Sequence, residues 1–584
     1  MRFRSTLHLV CTLAFMGYLS SCGQKKADKN SKAEISYSID NSVIKLGRQL
    51  ARTHCYSCHM IEQAGIGPAL GGVTQVHDKE WLAAFIKGSS AMVEKGDKKA
   101  IALFEKYKSP MPSFSHLSDS EIEAILSYID FYSKERHIKY DPKGNSEKMQ
   151  KLMVIPSEPI PKTGLLLVIS DFTSIPFETE NKALLRFSNM RYKPDALSED
   201  IYINNHDGQL YHILNDEVRT VFHMKNRFPD FISNPGLAAG FGSFAFHPEF
   251  TNNKLVYLTH TESFKGKSAD FEYDQKIPIE MQWVLSEFKL DQANGFKNAV
   301  SRELLRINVP KAVHGIQDIN FNWTAKIGDT DYGLLYVGIG DGGATVGGHP
   351  ELCHNLQSPL GTILRIDPLG NTSTNGAYAI PDTNPFVSSK NFKVWKEIYA
   401  YGFRNPHRFA WDNSDKRFLS SEISHKTFEE INWIHPGKDY GWNMRDANIK
   451  YDPKYQKELE AVPWDTPETD YQLPFAVYSH NEGRAVSGGF IYRGSISLLK
   501  GKYIFGDIVS GRIFYLDLRK KIDGLQQVYE FDLLNQQGEK ITLQNLVGNR
   551  VDLRFGEDSS GELYIMTKTD GYIRKITGSK HLNN

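Results

Sequence analysis

The sequence predicts a mainly-β fold, a β-propeller, with a small all-α domain on its N-terminal side. Beyond about residue 160, short alternating strands and turns containing Gly, Asn or Asp replace helical periodicity. An apolar strand, a turn and a second strand, usually with Leu-Tyr, recur at spacings on the order of 60–80 residues. This repetition favours a propeller with loop insertions over the alternative of two β-sandwiches. The recurring phrase occurs at residues 244–257, 319–337, 409–419 and 553–565, and two more strand groups lie at 202–213 and 489–516, so the spacing is irregular.

The N-terminus has the build of an export signal. Arg2 and Arg4 precede a mostly apolar stretch, residues 7–19, which is short for a bilayer span. It ends at Leu-Ser-Ser-Cys, residues 19–22, which resembles the lipobox of bacterial lipoproteins. That resemblance implies cleavage before Cys22, its lipidation, and membrane anchorage in the bacterial cell envelope, facing the periplasm or the outer surface. An ordinary signal peptide with an incidental cysteine is the alternative.

Composition shifts divide the rest of the chain. A polar, lysine-rich stretch predicts a flexible tether, and a proline-containing stretch of mixed charge predicts a linker. Between them, apolar periodicity predicts helices at residues 42–52 and 79–87, and a capping box at 118–121 opens a third that reaches about residue 131. The predicted segments are a signal peptide at 1–21, the tether at 22–40, the helical domain at 41–135, the linker at 136–160 and the propeller at 161–580.

The helical domain contains Cys-Tyr-Ser-Cys-His at residues 55–59, a spacing typical of c-type haem attachment. Cys55 and Cys58 would form thioethers with the haem vinyl groups. His59 would bind the iron as proximal ligand. A zinc or redox Cys-x-x-Cys followed by a chance histidine is the alternative.

Met111 is the candidate for the second axial ligand. It lies between two prolines in Ser-Pro-Met-Pro-Ser-Phe, residues 109–114, and so cannot lie inside a regular helix. A core methionine is the alternative; Met60 is adjacent to His59 and cannot reach the opposite face of a haem, which leaves Met92 as the competing ligand. Together with Gly-Ile-Gly-Pro-Ala-Leu at residues 65–70, these motifs make the segment resemble a class I cytochrome c domain, with His/Met ligation suited to electron transfer.

Charge and cysteine content exclude some classes of partner and bond. Lys+Arg and Asp+Glu both number 69, so net charge gives no argument for nucleic-acid binding. The chain has five cysteines, one in the signal, one at the lipobox, two in the haem motif, and Cys353. Because Cys353 has no partner left, no structural disulfide is predicted.

The propeller region carries an ordered series of family phrases. They are Phe-Ala-Phe-His-Pro-Glu-Phe at 244–250, Gly-Ile-Gly-Asp-Gly-Gly at 338–343, Leu-Gly-Thr-Ile-Leu-Arg-Ile-Asp at 360–367, Tyr-Gly-Phe-Arg-Asn-Pro at 401–406, Glu-Glu-Ile-Asn at 429–432, Asp-Tyr-Gly-Trp-Asn at 439–443, Ser-Gly-Gly-Phe-Ile-Tyr-Arg-Gly at 487–494, and Phe-Gly-Asp at 505–507 with Ser-Gly-Arg at 510–512. From about 165 to 578 the chain therefore resembles the soluble pyrroloquinoline-quinone (PQQ)-dependent glucose/sorbosone, or aldose sugar, dehydrogenases. The resemblance implies a six-bladed propeller.

The same resemblance implies catalytic roles for two residues. His314 would take the proton of the sugar C1 hydroxyl as hydride passes to the quinone, a task that suits a side chain titrating near neutral pH. Asp341 would orient and polarise His314. A structural histidine and a simple Gly-Asp-Gly-Gly turn are the alternatives.

Cofactor ligands are implied in the same way. Arg404 and Asn405 would bind the quinone oxygens and carboxylate edge, with Arg493 and Arg512 as further cations for a tricarboxylate. A calcium ion would use backbone carbonyls of the loop at residues 422–425, among them those of Ser424 and His425. An Arg-Asn-Pro blade corner without a ligand is the alternative.

The sequence thus predicts an exported quinohaemoprotein. It would oxidise an aldose or related alcohol, pass electrons from PQQ to its own haem c, and deliver them to a downstream respiratory acceptor. Three segments depart from the family pattern, at residues 236–243, 315–319 and 423–425. These departures favour the alternative function, a non-catalytic carbohydrate- or partner-binding propeller fused to an electron-transfer cytochrome c.

Overall fold

The protein is described from a computed structural model. The structure describes residues 37–55, 59, 61, 67–107, 111, 113–135, 137–141, 159–176, 185–194, 200–215, 217–234, 239–412, 416–454, 457–461, 471–520, 524–548, 550–568 and 570–582. The predicted export signal, Cys22 and most of the tether lie outside these ranges, as do Cys58 and much of the linker. No helix in the described ranges is both long and apolar enough to span a membrane.

The N-terminal domain is a small helical unit. Its helices are α1 (Asn41–His54), α2 (Val73–Val76), α3 (Lys79–Glu94), α4 (Lys98–Tyr107) and α5 (Asp119–Glu135). The side chain of Asp40 accepts hydrogen bonds from the backbone N–H groups of Ser42 and Val43, which caps α1. A Cβ at Gly47 would lie 1.8 Å from the carbonyl oxygen of Ala124, so glycine lets α1 and α5 approach closely.

Four separate four-stranded antiparallel sheets have the form of propeller blades. They are β2 (Phe187–Tyr192), β3 (Ile201–Asn205), β4 (Gln209–Leu214) and β5 (Glu217–His223); β6 (Phe241–Phe246), β7 (Leu255–Ser263), β8 (Met281–Asp291) and β9 (Gly295–Val309); β10 (Ile316–Phe321), β11 (Leu335–Ile339), β12 (Thr362–Ile366) and β13 (Ile398–Tyr401); and β14 (Pro406–Asp412), β15 (Arg417–Glu422), β16 (Phe428–Ile434) and β20 (Ala476–Ser479). The mainly-β propeller is therefore confirmed.

The remaining strands form two further sheets. A small sheet joins β17 (Arg445–Asp446), β18 (Ile449–Asp452) and β19 (Lys457–Ala461). A nine-stranded sheet joins β21 (Phe490–Ile491), β22 (Lys502–Gly506), β23 (Ile513–Asp517), β24 (Tyr529–Leu534), β25 (Lys540–Ile541), β26 (Arg554–Glu557), β27 (Leu563–Met566) and β28 (Tyr572–His581) with β1 (Lys162–Ser174). Short helices lie at Met224–Arg227, Phe250–Asn253 and Leu543–Val547, with a 3-10 turn at Pro350–Leu352.

Among the described residues, six strands contact one another in a closed series: the first strand of each four-stranded sheet, together with β21 and β26. β2 contacts β6, β6 contacts β10, β10 contacts β14, β14 contacts β21, β21 contacts β26, and β26 contacts β2. Hydrogen bonds between neighbours indicate that the strands begin at the same end. The side chain of Ser188, early in β2, donates to the carbonyl oxygen of Gly242, early in β6, and that of Ser487, before β21, donates to the carbonyl oxygen of Leu553, before β26. We call the end where these inner strands begin the upper face and the end where they finish the lower face.

Candidate functional site

His59 is buried and hydrogen-bonded through one ring nitrogen, an arrangement that would suit a haem ligand. Its Nδ1 lies 2.9 Å from the carbonyl oxygen of Pro68, which leaves Nε2 for a metal. A Cβ at Gly67 would lie 2.2 Å from the His59 ring, so only glycine leaves room for this orientation. Burial lowers the pKa of His59, which favours the neutral imidazole that binds iron. Cys55 is buried in the same core, and Cys58 lies outside the described residues.

Met111 is fastened to a break in α3. Gly88 leaves the helical conformation there, with φ −168° and ψ 68°. On either side of it, Ser89 Oγ donates to the carbonyl oxygen of Met111 over 3.0 Å, and Ser113 Oγ donates to that of Lys87 over 2.6 Å. Hydrogen bonds on both sides of Gly88 thus hold the Met111 loop against α3. Met111, His59 and Cys55 are residue types that suit a haem.

At the upper face, His314 and Asp341 come together as predicted. His314 Nδ1 lies 2.5 Å from Asp341 Oδ1. His314 lies two residues before β10 and has a φ of 56°. A Cβ at Gly340 would lie 2.0 Å from the His314 carbonyl oxygen, so the Gly-Asp segment is what allows the close approach.

Asp341 is fully buried and fixed by two further donors. The Gly343 backbone N–H donates to Oδ1 over 2.8 Å, and Trp442 Nε1 donates to Oδ2 over 3.0 Å. Burial alone would raise the pKa of Asp341, but the charge and hydrogen bond of His314 outweigh it and lower that pKa. Trp442 belongs to the Asp-Tyr-Gly-Trp-Asn phrase at residues 439–443, and the sequence gives no sign of this contact.

His314 is arranged to act as a base. Burial first, and then the positive charge of Arg404, lower its pKa below the usual 6.5. The imidazole is therefore neutral at physiological pH, with Nδ1–H donating to Asp341 and Nε2 able to accept a proton.

Arg404 and Asn405 stand beside this pair. Their backbone N–H groups donate to Glu422 Oε1 over 2.6 and 2.8 Å, a role for Glu422 that the sequence did not reveal. The Arg404 guanidinium lies 5.7 Å from the Trp442 ring centroid. Arg404 Nε and Asn405 Oδ1 are buried without a hydrogen-bond partner, so both suit a polar cofactor.

The loop predicted for calcium is bound by Arg404. Its Nη1 donates to the carbonyl oxygens of Ser424 over 2.7 Å and Ile423 over 3.1 Å. His425 Nε2 lies 2.6 Å from the hydroxyl of Tyr451.

Oxygen acceptors without a donor lie close to this loop. Glu422 Oε2 and Asn432 Oδ1 are both buried without a partner, which suits a hard cation. Among the described residues, no group of three or more His, Cys, Asp or Glu side chains is arranged to hold a metal.

Arg493 lies at the wrong end of the propeller for the predicted role. It follows β21 and donates through Nη2 to both carboxylate oxygens of Glu557, each over 2.8 Å, at the end of β26. His314 precedes the start of β10, and a six-residue inner strand spans about 17 Å. The prediction that Arg493 joins Arg404 on one cofactor is therefore wrong.

The Arg512 guanidinium is bound by two carboxylates, those of Glu530 and Glu482. Its Nε and Nη2 donate to Glu530 over 3.0 and 2.6 Å, and Nη2 also lies 2.9 Å from Glu482 Oε2. Its predicted part in quinone binding stays a prediction.

Comparison with known proteins decides the family. The family model described as Glucose / Sorbosone dehydrogenase matches residues 189–575. The chain belongs to this family. A cytochrome c family model matches residues 44–131, so this glucose/sorbosone dehydrogenase propeller follows a cytochrome c domain, as predicted.

Individual relatives are distant. The HIPL1 protein of Arabidopsis thaliana is 28% identical over 323 residues, 47% of this chain and 43% of the relative. Quinoprotein glucose dehydrogenase B of Acinetobacter calcoaceticus is 28% identical over 235 residues, 38% of this chain and 43% of the relative. The chain thus spans less than half the length of these two relatives.

A solved structure shows the shared fold. The soluble aldose sugar dehydrogenase of Escherichia coli in its apo-form matches with a TM-score of 0.51 and 17% identity. The match covers 71% of this chain and 100% of that chain. At this identity the likeness establishes the fold of the glucose/sorbosone dehydrogenase region alone.

Proposed function

We propose that this protein is an exported quinohaemoprotein dehydrogenase that oxidises an aldose sugar or related alcohol and passes the electrons to its own c-type haem. The observation that carries the proposal is the His314–Asp341 pair beside Arg404, in a chain that also has a cytochrome c domain. Family membership and the name of the Acinetobacter relative, a quinoprotein, support PQQ as the cofactor.

The chain's own residues supply acid–base chemistry and orientation. Bound PQQ would supply a two-electron acceptor. His314 Nε2 accepts the proton of the substrate hydroxyl, and the Asp341 carboxylate stabilises the imidazolium that forms. Trp442 and Gly343 hold Asp341, so the imidazole cannot rotate out of position.

Arg404 and Asn405 are the residues that would hold the cofactor. The unpartnered Arg404 Nε and Asn405 Oδ1 would bind its polar edge. Calcium would bind among the oxygens of the 422–425 loop and the unpartnered acceptors Glu422 Oε2 and Asn432 Oδ1.

The haem would be held by Cys55, Cys58, His59 and Met111. His/Met ligation favours electron transfer over oxygen chemistry. Because the two domains are joined by one linker, each meets the other at an effective concentration of about mM, whatever their abundance. A respiratory acceptor would then take electrons from the haem.

Six blades are the proposed architecture. The ring of six contacting inner strands supports it. In the nine-stranded sheet, β21–β24 would form one blade and β26–β28 with β1 another, joined because β1 also pairs with β24.

Export and anchorage rest on the N-terminal segment. Its basic start, its apolar stretch and the Leu-Ser-Ser-Cys phrase support lipidation of Cys22 and a place at the cell envelope. Attachment of c-type haem outside the cytoplasm in bacteria fits the same location.

The deciding experiment follows haem absorption in purified, oxidised, haem-loaded protein. PQQ and calcium are added, then a panel of aldoses and polyols. Haem reduction that needs both PQQ and substrate supports the proposal and gives the substrate class. No reduction, with no PQQ retained after desalting, contradicts it and leaves the binding propeller as the function.

A further inference from the structure

The propeller axis below the candidate active site contains a group of buried charges. We call Arg191, Arg408, Arg554 and Asp318 the axial cluster. Arg408, in β14, donates through Nη1 to the carbonyl oxygen of Gln317 in β10 and through Nη2 to that of Ser188 in β2, each over 2.8 Å. One side chain therefore bridges three inner strands across the axis.

Asp318 is the carboxylate within the axial cluster. It accepts from Arg191 Nη2 over 2.6 Å and from the Phe409 backbone N–H over 2.8 Å. Arg554 has a contact of a different kind, since its Nη1 donates to the carbonyl oxygen of Leu553 over 2.9 Å. The axial cluster thus holds three guanidinium groups and one carboxylate, an excess of two positive charges.

Neighbouring charges do not cancel this excess. Towards the upper face, Asp552 lies 3.0 Å from Arg550 and 3.2 Å from Lys568, and Asp207 lies 3.5 Å from Arg186. That group adds three cations and two anions. Towards the lower face, Glu557 is already held by both hydrogen bonds from Arg493.

Three buried nitrogen donors on the inner strands lack a hydrogen-bond partner. They are Arg191 Nε, Gln317 Nε2 and Arg554 Nε. Buried donors are nearly always satisfied, and a buried positive charge is costly unless an anion accompanies it. Unpartnered N–H donors together with an excess of positive charge favour an acceptor that carries a negative charge.

We propose that the propeller axis binds a small monovalent inorganic anion, of the halide class, between Arg408, Arg554 and Gln317. Arg408 sets the size limit, because its side chain crosses the axis and leaves no open channel for a larger acid. The site is separate from Arg404 and Asn405, since Arg408 lies further along β14 towards the lower face.

Burial supports the same site by its effect on the cations. It lowers the pKa of Arg408 to about 9 and that of Arg554 to about 10. The charges of Arg554 and Arg191 lower the pKa of Arg408 further, and those of Arg550 and Arg186 lower the pKa of Arg554 further. A bound anion would offset both effects and hold the axial cluster charged.

The test uses the full-length, haem-loaded protein and bromide as probe. Crystals soaked in bromide should show an anomalous peak between Arg408 and Arg554. In parallel, thermal unfolding is measured in chloride and in gluconate at equal ionic strength. Chloride at about tenfold above its dissociation constant should raise Tm by about 2 °C or more.

Variants locate the effect. Arg554→Met should remove the chloride dependence of Tm, whereas Arg219→Met, at a side chain that is 73% exposed, should keep it. No bromide peak on the axis, or a chloride effect that survives in Arg554→Met, overturns the proposal. The bromide measurement on the unaltered protein decides the matter even if Arg554→Met fails to fold.

Discussion

Arg404 Nη1 lies 2.7 Å from the carbonyl oxygen of Ser424. One predicted quinone ligand therefore binds the backbone of the loop predicted for calcium. The two proposed cofactor sites would therefore share a residue, and a change at Arg404 is expected to affect both.

Arg404→Lys should weaken PQQ binding about tenfold or more. Lysine cannot reproduce the planar fork that reaches both the 423–424 carbonyls and a cofactor. The measurement is retained PQQ after desalting, with calcium titrated in parallel. Unchanged retention of both would remove Arg404 from the site.

Arg493→Met should leave PQQ retention unchanged, because Arg493 lies at the lower face. Stability should fall by about 3 kcal/mol, since Glu557 is only 7% exposed and would lose its ion pair. Chemical denaturation measures this loss, and the double variant with Glu557→Gln should recover part of it. A loss of PQQ retention would contradict the placement.

His314→Ala should reduce substrate-dependent haem reduction about 10²–10⁴-fold through loss of the base. Asp341→Asn should lower the rate about 10²-fold, because the amide no longer stabilises a protonated His314. Dithionite reduction of the haem serves as the control for intact cytochrome. Full activity in folded His314→Ala would exclude this histidine from the mechanism.

The pH dependence of turnover should follow neutral His314. Its pKa is lowered by burial and by Arg404, so the base form is populated on the alkaline side of a midpoint below 6.5. The rate should rise with pH through that midpoint and level off near neutral. A midpoint above 6.5 in kcat/KM would indicate another titrating group.

Met111→Ala should lower the haem potential by on the order of 0.1 V, because a methionine ligand raises it. Met92→Ala is the matched control, at a methionine in α3 that competes for the same role. Spectroelectrochemical titration compares the two. A shift in the Met92 variant alone would transfer the axial role to Met92.

Cys22→Ala should move the protein from the membrane fraction to the soluble fraction, because it would remove the proposed site of the anchoring acyl chains. Haem content and turnover should stay the same. Membrane retention of this variant would refute the lipid anchor.

Local signals in the sequence were enough to predict the helices of the N-terminal domain. The helix predicted at 42–52 is Asn41–His54, because the Asp40 cap and the apolar periodicity act within a few residues. The capping box also forms: Ser118 N donates to Glu121 Oε2 over 2.8 Å. The helix predicted to end at residue 87 continues to Glu94, but it breaks at Gly88 where the Met111 loop attaches.

Contacts between residues far apart in the chain could not be predicted from the sequence. The family phrase at residues 487–494 is contiguous in the chain. Because β21 lies within it and runs from the upper to the lower face, Arg493 at the end of the phrase lies at the lower face. The contacts of Trp442 with Asp341 and of Glu422 with Arg404 join residues 101 and 18 positions apart. Spacing alone cannot reveal such pairs, because they depend on how the blades close around the axis.

The position of β1 determines the order in which the protein can be completed. β1 comes before every other strand, yet it pairs with β24 and β28, and Leu165 lies opposite His581. During synthesis the haem-binding helices are therefore complete hundreds of residues before the last strand reaches β1. Haem attachment needs only the N-terminal domain and could be finished while the ring is still open. The proposed quinone site would gain its rigid surroundings only at closure, so we expect haem to be attached before PQQ binds.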